Sequence, residues 1–236
     1  MSSSLSALLS ATFYEDGYDH LVELVHQRDT EARRHLASLE LSVYGEGGER
    51  LGGATVDPVD EVLDIGEVAR PFMPASRRVM IAFDARYEQR IFPYRPHHYG
   101  YLHRRGYPGP PLYYAVNAVL GGVPDHIGAT GINNMETYLF RGSASAERYS
   151  ILLGNLSRFS GAEAQLFTYY GAERVTSEVA LAPKAHAEVE IAAERDGQAL
   201  TRVDVKALFK LASYVVGRHA QRRDLLLFDH LFTYFR

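Results

Sequence analysis

The chain contains no cysteine. That excludes disulfides, thiolate metal sites, iron–sulfur clusters and a cysteine nucleophile. It equally excludes a secreted disulfide scaffold. Lysine is nearly missing too: of 25 basic residues only Lys184, Lys206 and Lys210 are lysines, and the rest are arginines. Arginine presents a planar fork to carboxylates and phosphates, although coding bias explains most of these positions as well. No apolar run is long enough for a membrane-spanning helix. The opening MSSSLSALLSATFYEDG has no positive region and only a short apolar run, so no signal peptide is expected, and a cytoplasmic location follows as the expectation. The glycosylation sequon Asn155-Leu156-Ser157 then carries no meaning. The formal charge of −4 argues against a nucleic-acid binder, which would usually be basic. Also missing are a phosphate-binding G-x-x-x-x-G-K-[ST], a G-x-G-x-x-G opening a helix, a G-x-S-x-G and an H-E-x-x-H.

An internal repeat is present. HLVELVHQRDTEARRHLASLELSVYGEGG (20–48) and RYSILLGNLSRFSGAEAQLFTYYGAER (148–174) each hold an apolar run, a polar interruption and an alternating run closed by Tyr-Gly. RVMIAFDARYEQRIFPYRPHHYGY (78–101) and LASYVVGRHAQRRDLLLFDHLFTY (211–234) match as tails, with His97 and Tyr101 against His230 and Tyr234. Apolar residues alternate at Leu39, Leu41 and Val43 and again at Ala187, Val189 and Ile191, the period of a half-buried strand. GEGG, DPVD and ERDG supply the turns between strands. The expectation is an all-β fold: two tandem immunoglobulin-like β-sandwiches, residues 12–105 and 130–236, joined by a Pro/Gly-rich crossover over 106–129. Within that crossover LYYAVNAVL must pack or pair, as an ordered crossover or as the first strand of the second unit. Residues 19–42 could alternatively form one amphipathic helix, and RVDVKALFK (202–210) is expected as a helix.

The succession ERYSILLGNLSRFSGAEAQLFTYYG, VALAPKAHAEVEI and ASYVVGRHAQRRDLLLFDHLF resembles the small bacterial β-sandwich of the sensory rhodopsin transducer type. That family also shows an apolar strand with a loop Asn, a second strand, a proline-containing strand before the next loop and a closing hairpin. The resemblance covers the second half and, less closely, the first. It implies a non-enzymatic, oligomer-forming binder of a partner or a small ligand, doubled here where the family has one domain.

Charge is unevenly distributed. Residues 45–70 carry seven acids against Arg50 and Arg70, whereas residues 86–105 carry five arginines against Glu88. Inside the basic stretch lies FPYRPHHYGYLHRRGYPG (92–109). If it is a strand, His97, Tyr99, Tyr101 and His103 share one face, an aromatic strip with polar edges. Such a strip is either a recognition surface or a set of rings covering the sandwich at the crossover. Pro93 and Pro96 lack backbone donors, so an edge strand or bulge is expected, flanked by Arg95, Arg104 and Arg105 and fit to dock an acidic segment. The alternative is a metal or enzyme site built from His97, His98, His103 and His126. Strand geometry opposes it, because His97 and His98 would point apart and His97 and His103 would lie roughly 20 Å apart unless the chain bends at Gly100. Asn133, Asn134 and Glu136 read as an Asx-rich turn entering a strand, and Glu188/Glu190 and Asp224/Asp229 as solvated strand faces. The closing DLLLFDHLFTYFR is apolar on both faces, which points to an interface along one of them. The reading is therefore a cofactor-free binding or assembly protein, a homo-oligomer or the partner of another protein, acting through Arg95, His97, Tyr99, Tyr101, His103, Arg104 and Arg105.

Overall fold

Alternation written in the sequence becomes alternation in burial. In Leu36–Tyr44, Leu39, Leu41 and Val43 are buried while Glu40 is exposed. In Ala162–Tyr170 every second residue from Ala162 onward is buried. The computed structural model describes residues 6–24, 34–56, 62–73, 78–88, 98–118, 134–140, 148–219, 221 and 224–233. About two thirds of these lie in antiparallel strands and few in helix, so the fold is all-β. The chain divides into two units, Met1–Leu120 and Gly121–Arg236.

The first unit holds β1 (Ser6–Glu15), β2 (Tyr18–Glu23), β3 (Leu36–Tyr44), β4 (Arg50–Thr55), β5 (Val62–Asp64), β6 (Arg78–Tyr87), β7 (Tyr99–Arg104), β8 (Leu112–Ala115) and β9 (Asn117–Ala118). One sheet runs β4-β3-β6-β1-β9, the other β5-β2-β7-β8. A short helix, α1 (Ile65–Ala69), follows β5; the Asp64 carboxylate caps it by accepting from the Glu67 N–H. The two sheets face each other across a buried polar chain, in which Thr12 Oγ1 on β1 meets the Tyr114 hydroxyl on β8, and that hydroxyl meets His20 Nε2 on β2. Phe83 on β6 packs against His98 at 5.4 Å between ring centres.

The second unit holds β10 (Asn134–Leu139), β11 (Arg148–Gly154), β12 (Ala162–Tyr170), β13 (Glu173–Leu181), β14 (His186–Ile191), β15 (Glu194–Arg195), β16 (Gln198–Ala207), β17 (Ala212–Arg218), β18 (Leu225–His230) and β19 (Phe232–Thr233). Its sheets run β13-β12-β16-β10-β19 and β14-β11-β17-β18, with β15 paired beside β16. Reading β10–β14 and β16–β19 in place of β1–β9 reproduces both sheet orders of the first unit.

Several expectations change. Residues 202–210 are not a helix: most of them belong to β16, where Val203, Val205 and Ala207 point inward with strand period. Good helix formers were outweighed by two neighbouring strands, β12 and β10, that pair with this segment. Residues 19–42 are not one helix, because β2 and β3 occupy both ends. Residues 112–115 and 117–118, placed in the crossover by sequence, are strands β8 and β9 of the first unit. The tail match is displaced by one strand, since sheet order sets β6 against β16 and not against β17. The closing apolar segment divides between sheets, β18 pairing with β17 and β19 with β10, with Leu231 buried where it crosses.

His20 makes the first unit acid-sensitive. It is fully buried, and burial pushes its pKa down to about 3. The neutral ring is therefore kept in the folded chain while the unfolded chain protonates near 6.5. Above that pH the two states bind the same number of protons. Below it the unfolded state gains one, so stability falls as pH drops from 6.5 towards 3, by about 1.4 kcal/mol per unit. Unfolding free energies from urea titrations at pH 6.5 and 5 should differ by about 2 kcal/mol from this group. His20→Gln should remove that slope; an unchanged slope would refute the assignment.

Candidate functional site

The sheet β5-β2-β7-β8 positions the site on its outer face. Along β7 Gly100 and Leu102 point inward, while Tyr99, Tyr101 and His103 point outward. Along β2 Tyr18, His20 and Val22 point inward, leaving Asp19, Leu21 and Glu23 outside. Cross-strand register sets Tyr99 between Glu23 and Ala115, Tyr101 between Leu21 and Tyr113, and His103 beside Asp19. Leu21 in turn faces Asp64, and Glu23 faces Val62.

The result is a patch of apolar and aromatic side chains in solvent. Relative exposures are 37% for Tyr99, 43% for Tyr101, 55% for Tyr113, 41% for Leu21 and 52% for Val62. The rings organise one another: Tyr99 and Tyr113 are stacked at 5.7 Å, and Tyr101 stands edge-on to Tyr113 at 4.9 Å. Such contacts fix ring orientation before any ligand arrives.

Beneath this patch the inner face is tied down. Gly100 sits under the Tyr114 ring, which occupies the space a Cβ would need. Tyr114 then reaches His20 and Thr12 with its hydroxyl, and burial in this apolar setting raises its pKa. At the far end Arg105 bonds Asp16 at 3.0 Å and Asp19 at 3.4 Å, joining the exit of β7 to the β1–β2 turn. Arg104 lies over the Tyr107 ring at 5.8 Å.

Tyr99, Tyr101 and His103 share one face, as their spacing requires. Arg95, His97 and His126 fall outside the described residues. The stretch from Tyr99 to Arg104 is not an edge: β7 lies between β2 and β8 and is paired on both sides. Pro93 and Pro96, the reason for expecting an edge, fall outside the described residues. Nor is the face a basic one, because Asp19 and Glu23 stand directly opposite His103 and Tyr99. Arg105 spends its charge within the fold.

Two of the four metal candidates lie on different sides of the sheet. His98 is buried on the inner side against Phe83, whereas His103 lies on the outer face. Among the described residues no group of three or more His, Asp or Glu is placed to hold a metal ion. Sequence reasoning missed Tyr113, Leu21 and Val62. Leu21 gave a signal, being apolar in the polar phase of YDHLVE; Tyr113 gave another, since in LYYA one of two adjacent tyrosines must face out.

Comparison with protein-family models matches none, and comparison with curated proteins finds no significant relative. No helix among the described residues is long and apolar enough to cross a membrane.

Proposed function

We propose that this chain is a non-catalytic binding or assembly protein that self-associates through the outer face of β5-β2-β7-β8. The observation that carries the reading is the tyrosine trio of Tyr99, Tyr101 and Tyr113, mutually packed and still in solvent. Ordered tyrosines that lose little entropy on contact are common at the energetic centre of interfaces. A polar margin of Asp19, Glu23 and His103 surrounds them, as at an interface rim. In an isologous contact the same patch meets itself, so the tyrosines of one copy pack against those of the other.

Identical strand order in the two units supports a further part of the proposal, that both are immunoglobulin-like sandwiches descended from one duplicated domain. This agrees with the resemblance to the sensory rhodopsin transducer type, whose members are oligomer-forming binders. The absence of cysteine and the net charge of −4 support a cytoplasmic setting without nucleic acid.

The test is sedimentation velocity on the whole chain. Changing Tyr99 and Tyr101 together to alanine should weaken self-association about tenfold or more and leave the unfolding midpoint nearly unchanged, since both rings are exposed. Association that survives the double change intact would reduce the patch to the decorated outside of a sheet.

A further inference from the structure

All three lysines of the chain gather at one end of the second unit. Register defines that end. Gly154 pairs with both His186 and Ala212, Ala162 with Leu181, and Ala207 with Asn134 and Ala164. Three loops therefore leave the unit together: 155–161, 182–185 and 208–211. Lys184 lies in the second loop, Lys210 in the third, and Lys206 on β16 beside Met135.

The same end holds the most exposed large apolar side chain in the described structure, Phe159, at 82%. Leu208 follows at 60%, and Met135 is 38% exposed. Loops usually bury such residues or avoid them. This loop instead holds Phe159 out on a rigid base. Asn155, fully buried, donates from its amide to the carbonyls of Ser160 and Ala182 and accepts from the Ser157 N–H. The Ser157 hydroxyl accepts from the N–H groups of Phe159 and Ser160. Lys184 donates to the Leu156 carbonyl at 2.6 Å, joining the first loop to the second.

The charges are one-sided. Arg158 is exposed beside Phe159, and Lys184 and Lys206 are partly exposed. Lys210 is turned inward to Glu136 at 3.3 Å. The three loops hold no acid; on the strands beside them stand the exposed carboxylates of Glu163, Glu178 and Glu188. Apolar tips on separate loops whose own charges are all cationic fit a surface that is soft, apolar below and anionic above. A protein partner would need preformed pockets for tips that stand apart; a bilayer interface accepts them singly.

We propose that this end of the second unit docks on an anionic lipid surface, with Phe159 and Leu208 entering the headgroup boundary and Arg158, Lys184 and Lys206 facing the anionic headgroups. The contact is peripheral and reversible, and it is independent of the tyrosine face of the first unit.

Flotation of the full chain with vesicles tests it. Vesicles of phosphatidylcholine with 30% phosphatidylserine should carry the protein, and vesicles of phosphatidylcholine alone should carry little. Binding should fall with added salt. Phe159→Asp should lower binding at least tenfold, and Lys206→Glu, a change of two charges, should lower it about 25-fold, each juxtamembrane charge being worth on the order of fivefold. Glu163→Lys should raise it by about the same factor. Unchanged unfolding midpoints would show that these exposed variants are folded. No binding to the phosphatidylserine vesicles, equal binding to both vesicle types, or binding untouched by Phe159→Asp would each overturn the proposal. Retention of Phe159-dependent binding only by an acidic protein added in place of vesicles would overturn it as well.

Discussion

Replacing Gly100 by alanine is expected to destabilise the first unit by about 3 kcal/mol, the upper range for overpacking a close-packed interior. A methyl group there would overlap the Tyr114 ring, and Gly100 lies on β7, a strand paired on both sides, so the backbone has little room to retreat. Displacing Tyr114 also disturbs its hydroxyl, which links His20 and Thr12 between the sheets. Because β8 is four residues long and inward-facing Tyr114 is its anchor, the outward Tyr113 should move too. The variant should therefore lose self-association together with stability. Urea unfolding measures the first effect. A double-mutant cycle with Tyr114→Ala isolates the overlap: the pair should cost less than the sum of the single changes, with a coupling of about 1 kcal/mol or more. Additive costs would mean that the ring and the glycine do not constrain each other.

The second large effect lies in the other unit. Asn155→Ala should cost about 3 kcal/mol, since it strands two part-buried carbonyls and a buried N–H at once. The carbonyls belong to two different loops, with Ser160 at 2.9 Å and Ala182 at 3.0 Å, so one side chain joins them. Asn155→Asp is expected to be at least as harmful. It keeps an acceptor for the Ser157 N–H but turns a carboxylate towards carbonyl oxygens. Hydrogen exchange should show protection lost first in residues 155–161 and 182–185, with the first unit little affected. An aspartate variant as stable as the native chain would contradict the donor role assigned to the amide.

Much of the strand content was legible because several strands have one wet face. LASLELSVY alternates and is a strand; AEAQLFTYY alternates and is a strand. Where both faces are buried the code disappears. Residues 79–83 and 149–154 are buried at every position, and an uninterrupted apolar run does not say which side faces which sheet. RVDVKALFK carried both signals, and pairing with two neighbours selected the strand. The tail match failed for a related reason: successive apolar strands with charged turns look alike when slid by one element, whereas their places in a sheet do not. At the candidate site the parity of Tyr99, Tyr101 and His103 was readable within one strand. Tyr113, Leu21 and Val62 come from three other strands, and Glu23 and Asp19 reach the patch only through long-range pairing. That pairing also reversed the expected charge of the surface.

The place of β1 sets a timetable for making the protein. Within the first unit β1 lies between β6 and β9, so it is synthesised well before either neighbour. At about 5–20 residues per second, the segment SALLSATFYE waits on the order of ten seconds for them. The second unit repeats the delay, with β10 waiting for β16 and β19. During each interval an unpaired strand trails from the nascent chain, available to chaperones and to other copies on the same message. Slowed translation through residues 78–118 would lengthen that exposure, while a chain halted before residue 78 could not close its first sheet at all.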